Sequence, residues 1–239
     1  MRILSFCVLG LASLVLLSGC HTAPPEIPFD KAAASRVKSI GIVVSQFPEQ
    51  PVAVLATTVG QHMGLLGALV DAGMNSSRVT KVEAMLISQG FVADTYFIAK
   101  LKETLEAEGY KVFIVSQKRG KGDFAKDYPV NFYPKVDAYL DIIVGAYGYL
   151  AAGIGDDAPY RPTFNARVKL VSSIDKSVLM QDVVAYNVPN NPENIVTISP
   201  DPEMKWVDFD TLMADPVRAV SGLRMAEDLT ASTLGKLAH

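Results

Sequence analysis

The groups able to do chemistry in this 239-residue chain are few and scattered. Its two thiols, Cys7 and Cys20, both fall in the first twenty residues, and its three imidazoles stand far apart at His21, His62 and His239. A zinc site needs His and Cys at short, regular spacings, and neither an HExxH nor a His/Cys cluster is present. The GxSxG turn of common hydrolases is missing as well. A Ser–His–Asp set is spatial rather than sequential and would have to run through His62. Paired carboxylates for glycan cleavage could come from Asp137/Asp141, Asp156-Asp157 or Asp208/Asp210, though each is more simply a loop or strand-edge charge. Asp201, Glu203, Asp208 and Asp210 could offer oxygens to calcium but lack the EF-hand spacing and its glycine. The GKG at 120–122 is not the GxxxxGK[ST] phosphate loop. Around it, Lys118, Arg119 and Lys121 read as a solvated loop or a contact to anionic lipid or glycan. The expectation is a protein that is not an enzyme, with no catalytic residues, no cofactor and no metal.

Cys20 is the exception, because of what precedes it. Arg2 is the only charge in the first twenty residues, residues 3–17 are mostly apolar, and the run closes on Leu17-Ser18-Gly19-Cys20. A positive start, an apolar middle and a small-residue end make a secretory leader. The four closing residues resemble the lipobox of bacterial lipoproteins, and the resemblance implies that 1–19 is a signal peptide and that the Cys20 thiol carries the lipid, with palmitate among its acyl chains. The competing readings are an ordinary secretory leader with a chance cysteine, and a retained membrane helix, for which the run is shorter than the roughly 20 residues needed to span. His21, where inner-membrane lipoproteins commonly carry Asp, implies the outer membrane, with the body in the periplasm. Residues 20–35, rich in proline from 21 to 28, form the lipidated cysteine and its tether, and 36–239 form one periplasmic domain.

Loss of the leader removes Arg2 and Cys7. Net charge then moves only from −3 to −4, which gives no reason to expect nucleic acid as a partner. With Cys20 acylated, no thiol or disulfide remains, so stability rests on packing. The 49% apolar content is ample for a core.

The remaining pattern predicts the elements. Val37, Ile40, Ile42, Val43 and Val44 form a β-rich run with little alternation, as in a strand buried on both faces. Residues 76–89 and 92–107 read as helices, the second with Tyr96, Phe97, Leu101 and Leu105 on its apolar face and Gly109 as its stop. Residues 110–116 and 136–150 read as strands, the latter unbroken or with a kink at Gly145. Residues 164–188 read as a hairpin turning at 174–177, with Phe164, Ala166, Val168 and Leu170 on one face. Loops are expected at 117–135, 151–162 and 189–210, the last as a functional loop or covering flap anchored by Trp206. Asp215 before Pro216 predicts a helix start, and Val217, Val220, Leu223, Leu229, Leu234 and Leu237 predict its apolar side.

One segment does not fit this pattern. Residues 51–70 carry no charged side chain apart from His62 and contain Gly60, Gly64 and Gly67, the first two as GxxxG. The readings are a strand or loop followed by a glycine-bearing core helix, a membrane-inserting or oligomer-lining segment, and a ligand loop.

Together these predict an α/β fold: a mixed β-sheet of about five strands packed with three to four helices. The stretches VKSIGIVV, YKVFIVS, VDAYLDIIVGAYGY and ARVKLVSSIDKSVLMQDVVAYN, followed by a last helix, resemble the curli-secretion lipoprotein and the TolB amino-terminal plan. That resemblance implies an outer-membrane assembly or export accessory without catalysis, often oligomeric, held to the membrane by its N-terminal lipid and meeting protein partners or further copies of itself. The alternative is a periplasmic ligand-binding module or glycan-active enzyme using loops 151–162 and 189–210.

Overall fold

A computed structural model describes residues 25–56, 76–117, 122–129, 133–152, 158–189 and 192–238. The leader, Cys20, all three histidines, Gly60, Gly64, Gly67, Asp156-Asp157 and the Lys118/Arg119/Lys121 group lie outside the described residues.

The chain runs through a one-turn helix α1 (Lys31–Ala34), β1 (Ser39–Gln46), β2 (Val52–Ala56), α2 (Ser76–Ser88) and α3 (Ala93–Ala107). It continues through β3 (Lys111–Val115), β4 (Ala138–Ala152), β5 (Tyr160–Ser172), β6 (Val178–Tyr186), β7 (Val196–Ile198), α4 (Phe209–Ala214) and α5 (Pro216–Leu237). All seven strands join one sheet in the order β3-β1-β4-β5-β6-β7, with β2 also paired to β4. The α/β expectation holds, and the strand count exceeds it. The additional strands are β2, inside the uncharged segment, and β7, inside the expected loop at 189–210. Both are short, which leaves little periodicity to read.

β4 is the spine of the sheet. Its first half pairs with β1 and its second half with β2, both parallel, while β5 runs antiparallel along its whole length. The expected kink at Gly145 is a β-bulge, where the β4–β5 register shifts between Val144 and Ala146. A bulge increases local twist and lets one long strand serve two partners. Gly148 makes the second pairing possible. Its φ is +136°, and a Cβ there would lie 2.2 Å from the Val52 carbonyl oxygen. Only glycine allows β2 to approach so closely.

The helices pack on one face. Phe97, Leu101 and Leu105 of α3 and Ala226, Ala231 and Leu234 of α5 meet Ile40, Ile42, Leu140, Phe164, Val168 and Leu170 of the sheet. The other face is covered as well. Residues of the expected polar loop at 117–135 fold across it, burying Ala125 and Tyr128 against Val43, Val115, Tyr139 and Val171. This accounts for the weak alternation in β1: Ile42 faces the helices and Val43 faces the covering loop. The loop is pinned by a buried carboxylate, as Ala125 N donates to Asp141 Oδ2 at 2.7 Å and the Tyr128 hydroxyl donates to it at 3.0 Å.

The hairpin turns as expected at 174–177, with Lys176 at φ 64°. Hydrogen bonds from Ser172 and Ser177 hold the Asp175 carboxyl down to about 2. The expected loop at 151–162 is strand at both ends, as 151–152 end β4 and 160–162 begin β5; 153–157 lie outside the described residues. On α5, Val217 and Leu229 depart from the predicted apolar side, being 67% and 40% exposed, while Ala219, Ala226 and Ala231 are buried. The bulky residues at 217 and 229 mislead because small alanines let α5 sit close to the sheet.

Asp215 caps α5 as predicted, accepting from Arg218 N at 3.2 Å ahead of Pro216. Replacement of Asp215 by alanine is expected to cost about 1 kcal/mol, measurable by urea unfolding. Asparagine at this position should recover most of that loss.

Candidate functional site

The two main core clusters meet at Phe47 and Tyr147, which pack against both. Phe47 leaves β1 just before Pro48, and Tyr147 follows the bulge in β4. Their ring centroids lie 6.1 Å apart in an edge-on arrangement. Beside them opens a cleft of about 270 Å³ whose wall includes Phe91, Glu83 and Asp94. Ile87 and Val92, 70% and 58% exposed, also line it. Glu83 comes from α2 and accepts from Gln50 Nε2 at 3.1 Å; Asp94 sits in the first turn of α3. Burial, together with Glu83, Glu227 and Asp94, pushes the Tyr147 hydroxyl up to about 12. The rim is therefore acidic and its wall aromatic.

The carboxyl of Glu227 lies close enough to Tyr147 to act on it electrostatically. Glu227 is completely buried on α5, and neither of its oxygens has a hydrogen-bond partner among the described residues. Burial, with Asp228 and Asp94 nearby, pushes it up to about 9 against the pull of Arg224, so it is neutral at pH 7. Its neighbour Asp228 points elsewhere and accepts from the Tyr96 hydroxyl at 3.0 Å. The Arg224 guanidinium lies over the rings of Tyr96 and Phe91 at 5.5 and 5.9 Å. Sequence reasoning missed Glu227. The signal was there: it stands four residues after Leu223 and four before Ala231, a lone carboxylate in the apolar stripe of α5.

Among the described residues, Asp137, Asp141, Asp201 and Asp208 each accept from their own donors in the fold. Asp137 accepts from Lys38 N, Ser39 N and the Ser39 hydroxyl at 2.9, 2.9 and 2.7 Å. Burial raises its carboxyl, but these bonds outweigh that and hold it below its ordinary value. Asp141 pins the covering loop, Asp208 caps α4 by accepting from Thr211 N at 2.7 Å, and Asp201 accepts from Glu203 N at 2.8 Å. Among the described residues, no group of three or more His, Cys, Asp or Glu side chains is placed to hold a metal ion. Trp206 is the packing anchor expected, nearly fully buried and tied by paired backbone hydrogen bonds to Tyr160. The chain flanking Gly60, Gly64 and Gly67 is placed at one end of the sheet: Ala56 pairs with Ala152, and Arg78 of α2 donates to the Tyr160 hydroxyl at 2.8 Å.

Neither a family model nor a curated protein matches the chain. Several solved structures are similar to it in outline. PelC from Paraburkholderia phytofirmans, a dodecamer, shares 11% identity over 89% of this chain and 94% of its own, with a TM-score of 0.37. Protein XCC0632 from Xanthomonas campestris shares 11% over 88% of this chain and 83% of its own, with a TM-score of 0.42. The lipoprotein GNA1162 from Neisseria meningitidis shares 17% over 65% and 86%, with a TM-score of 0.30. The likeness is one of general layout, and the dodecamer and the lipoprotein are properties of those proteins. Among the described residues of this chain, no helix is long and apolar enough to cross a membrane.

Proposed function

We propose that this protein is a lipid-anchored component of the bacterial envelope, held by Cys20 in the outer membrane with its α/β body in the periplasm, where it acts as a non-enzymatic assembly or export accessory. The observation that carries the reading is the way the tether joins the body. Only residues 21–24 separate Cys20 of the lipobox-like LSGC from Pro25, where the chain is already bound to the sheet. Such a short connection suits a body held close to its anchor. Asp137, Asp141 and Asp208 are taken up by hydrogen bonds that hold the fold together, which favours a binding or assembly role over chemistry.

The assembly part of the reading is self-association through the glycine-bearing segment at 51–70, with Gly60, Gly64 and Gly67 at the contact. Light scattering after size exclusion of the full-length lipidated protein in mild detergent tests it. A discrete oligomer is expected, and Gly64→Leu is expected to reduce its mass toward that of the monomer. A monomeric wild type would refute self-association. Lipidation is tested separately by incorporation of labelled palmitate, which Cys20→Ala should abolish.

A second reading, a ligand-binding module, is favoured by the cleft rather than by the loops at 151–162 and 189–210. Glu83 and Asp94 beside the Phe47, Phe91 and Tyr147 rings suit a cationic group. Asp208 caps a helix and does not line the cleft, so the variant that tests this reading is Asp94→Asn.

A further inference from the structure

The ligand-binding reading leaves open what the cleft beside Phe47 and Tyr147 would hold, and its walls narrow the choice. Three acids line it: Glu49 from the connection between β1 and β2, Glu83 from α2, and Asp94 from the first turn of α3. Among the described residues, none that lines the cleft is basic, and none of the three acids forms an ion pair. The donors to them are neutral: the Gln50 amide for Glu83, and the Thr95 backbone amide and hydroxyl for Asp94 Oδ1.

A fourth acid lies beneath. Glu227 is completely buried, and neither of its oxygens has a hydrogen-bond partner among the described residues. It acts electrostatically on the Tyr147 hydroxyl and is acted on by Asp94, both of which line the cleft. A buried acceptor without a donor is costly, and a cation seated above it would supply the missing positive charge. The base that acts on Glu227, Arg224, is turned over the Phe91 and Tyr96 rings at 5.9 and 5.5 Å.

Shape decides which cation. The volume of about 270 Å³ is below the about 300–1,000 Å³ of common small-molecule pockets and suits one long side chain. A guanidinium is planar, permanently charged and weakly hydrated, so it can lie on an aromatic ring while its edge meets carboxylates; an ammonium is a compact, strongly hydrated charge. Ile87 and Val92, 70% and 58% exposed at the edge, offer apolar contact to the residues on either side of such a side chain. We propose that the cleft receives an arginine side chain presented by a partner polypeptide, with Glu49, Glu83 and Asp94 around the guanidinium, the aromatic rings against its plane, and apolar flanking residues on Ile87 and Val92.

The proposal rests on the ligand-binding reading, and the experiment separates the two. Full-length lipidated protein in mild detergent would be titrated by calorimetry with three blocked tripeptides, acetyl-Leu-X-Leu-amide, in which X is arginine, lysine or citrulline. Ethylguanidine, a guanidinium without a polypeptide, is the fourth probe. The arginine peptide is expected to bind about tenfold tighter than the uncharged citrulline peptide, and about threefold or more tighter than the lysine peptide or ethylguanidine. Asp94→Asn and Glu49→Gln, both at exposed positions, should each weaken it about fivefold. Glu227 is faced by Tyr147 of β4, Asp94 of α3, and Arg224 and Asp228 of its own helix. A guanidinium above it favours its ionised form, so affinity should rise about threefold from pH 7 to 9, where the ligand itself does not titrate, and Glu227→Gln should abolish the rise. Equal binding of the citrulline or lysine peptide would overturn the arginine assignment, and equal binding of ethylguanidine would overturn the polypeptide partner; in either case the cleft remains a ligand site. Binding that Asp94→Asn and Glu49→Gln leave intact would overturn the proposed location. Affinity unchanged with pH in the wild type would overturn the part given to Glu227. Binding by none of the four probes would overturn the ligand-binding reading itself.

Discussion

Replacement of Gly148 by alanine is expected to lower the unfolding free energy by about 3 kcal/mol or more. Two costs combine. The backbone at φ +136° belongs to a region that residues with a Cβ rarely adopt, at about 1–3 kcal/mol. The new Cβ would also lie 2.2 Å from the Val52 carbonyl oxygen and 2.7 Å from its nitrogen, so β2 must move or detach from β4. The overlap is with backbone, which cannot rotate aside. Gly90→Ala is the matched control: its φ is +64° and nothing lies within 4 Å of the added carbon, so the left-handed conformation alone should cost about 1–2 kcal/mol. Urea unfolding of the two variants beside wild type measures the difference. Equal losses would mean that the close approach of β2 is not part of the folded state in solution.

Glu227→Gln is expected to make the protein more stable at alkaline pH and to leave it little changed near pH 4.5. In the unfolded chain this glutamate ionises near its ordinary 4.5, and in the fold it holds its proton up to about 9. Between those values the native state binds one more proton than the unfolded state. Raising the pH through that window therefore favours unfolding, by about 1.4 kcal/mol per pH unit for a single such group. The contribution of Glu227 is greatest below pH 4.5 and declines to its minimum near pH 9, amounting to several kcal/mol in all. Glutamine keeps the shape, cannot ionise and removes the slope. Thermal unfolding of both proteins across pH 4.5–9 gives the comparison, since the other acids titrate alike in both. Parallel curves would show that Glu227 is ionised, and thus hydrated or paired, in the native protein.

Glu227 lies beneath the acidic cleft, so the same variant bears on its use. The cleft itself is lined by Glu49, Glu83 and Asp94. A cationic group entering there would meet three carboxyl side chains and three aromatic rings, with the exposed apolar side chains of Ile87 and Val92 nearby.

Much of this protein was legible along the chain because its signals are local. The helices at 76–88, 93–107 and 216–237, the hairpin at 164–188 and the Asp215 cap follow from residues within one or two turns of one another. The bulge at Gly145 was legible as well, since a lone glycine in an apolar strand marks a break in pairing. The covering loop at 117–135 was not. Its sequence is polar, yet Tyr128 and Ala125 are buried by a carboxylate, Asp141, that reaches them from the sheet. Nor was β7, three residues long, whose pairing is decided by β6, while β2 was legible only as one reading of its segment because β4 decides its pairing.

The chemistry divides along the same line. The leader, the LSGC ending and the absence of any other thiol from the mature chain are matters of order and composition, and the sequence alone determined the expectation of a lipid anchor. Only the tertiary structure decided that Asp137, Asp141 and Asp208 serve as structural acceptors, that Glu227 is buried with no hydrogen-bond partner among the described residues, and that the tether pairs with the first half of β6. The physical reason is that a charge acquires its role from the dielectric and the donors around it. In this fold those surroundings are supplied by strands and helices that can lie more than a hundred residues away.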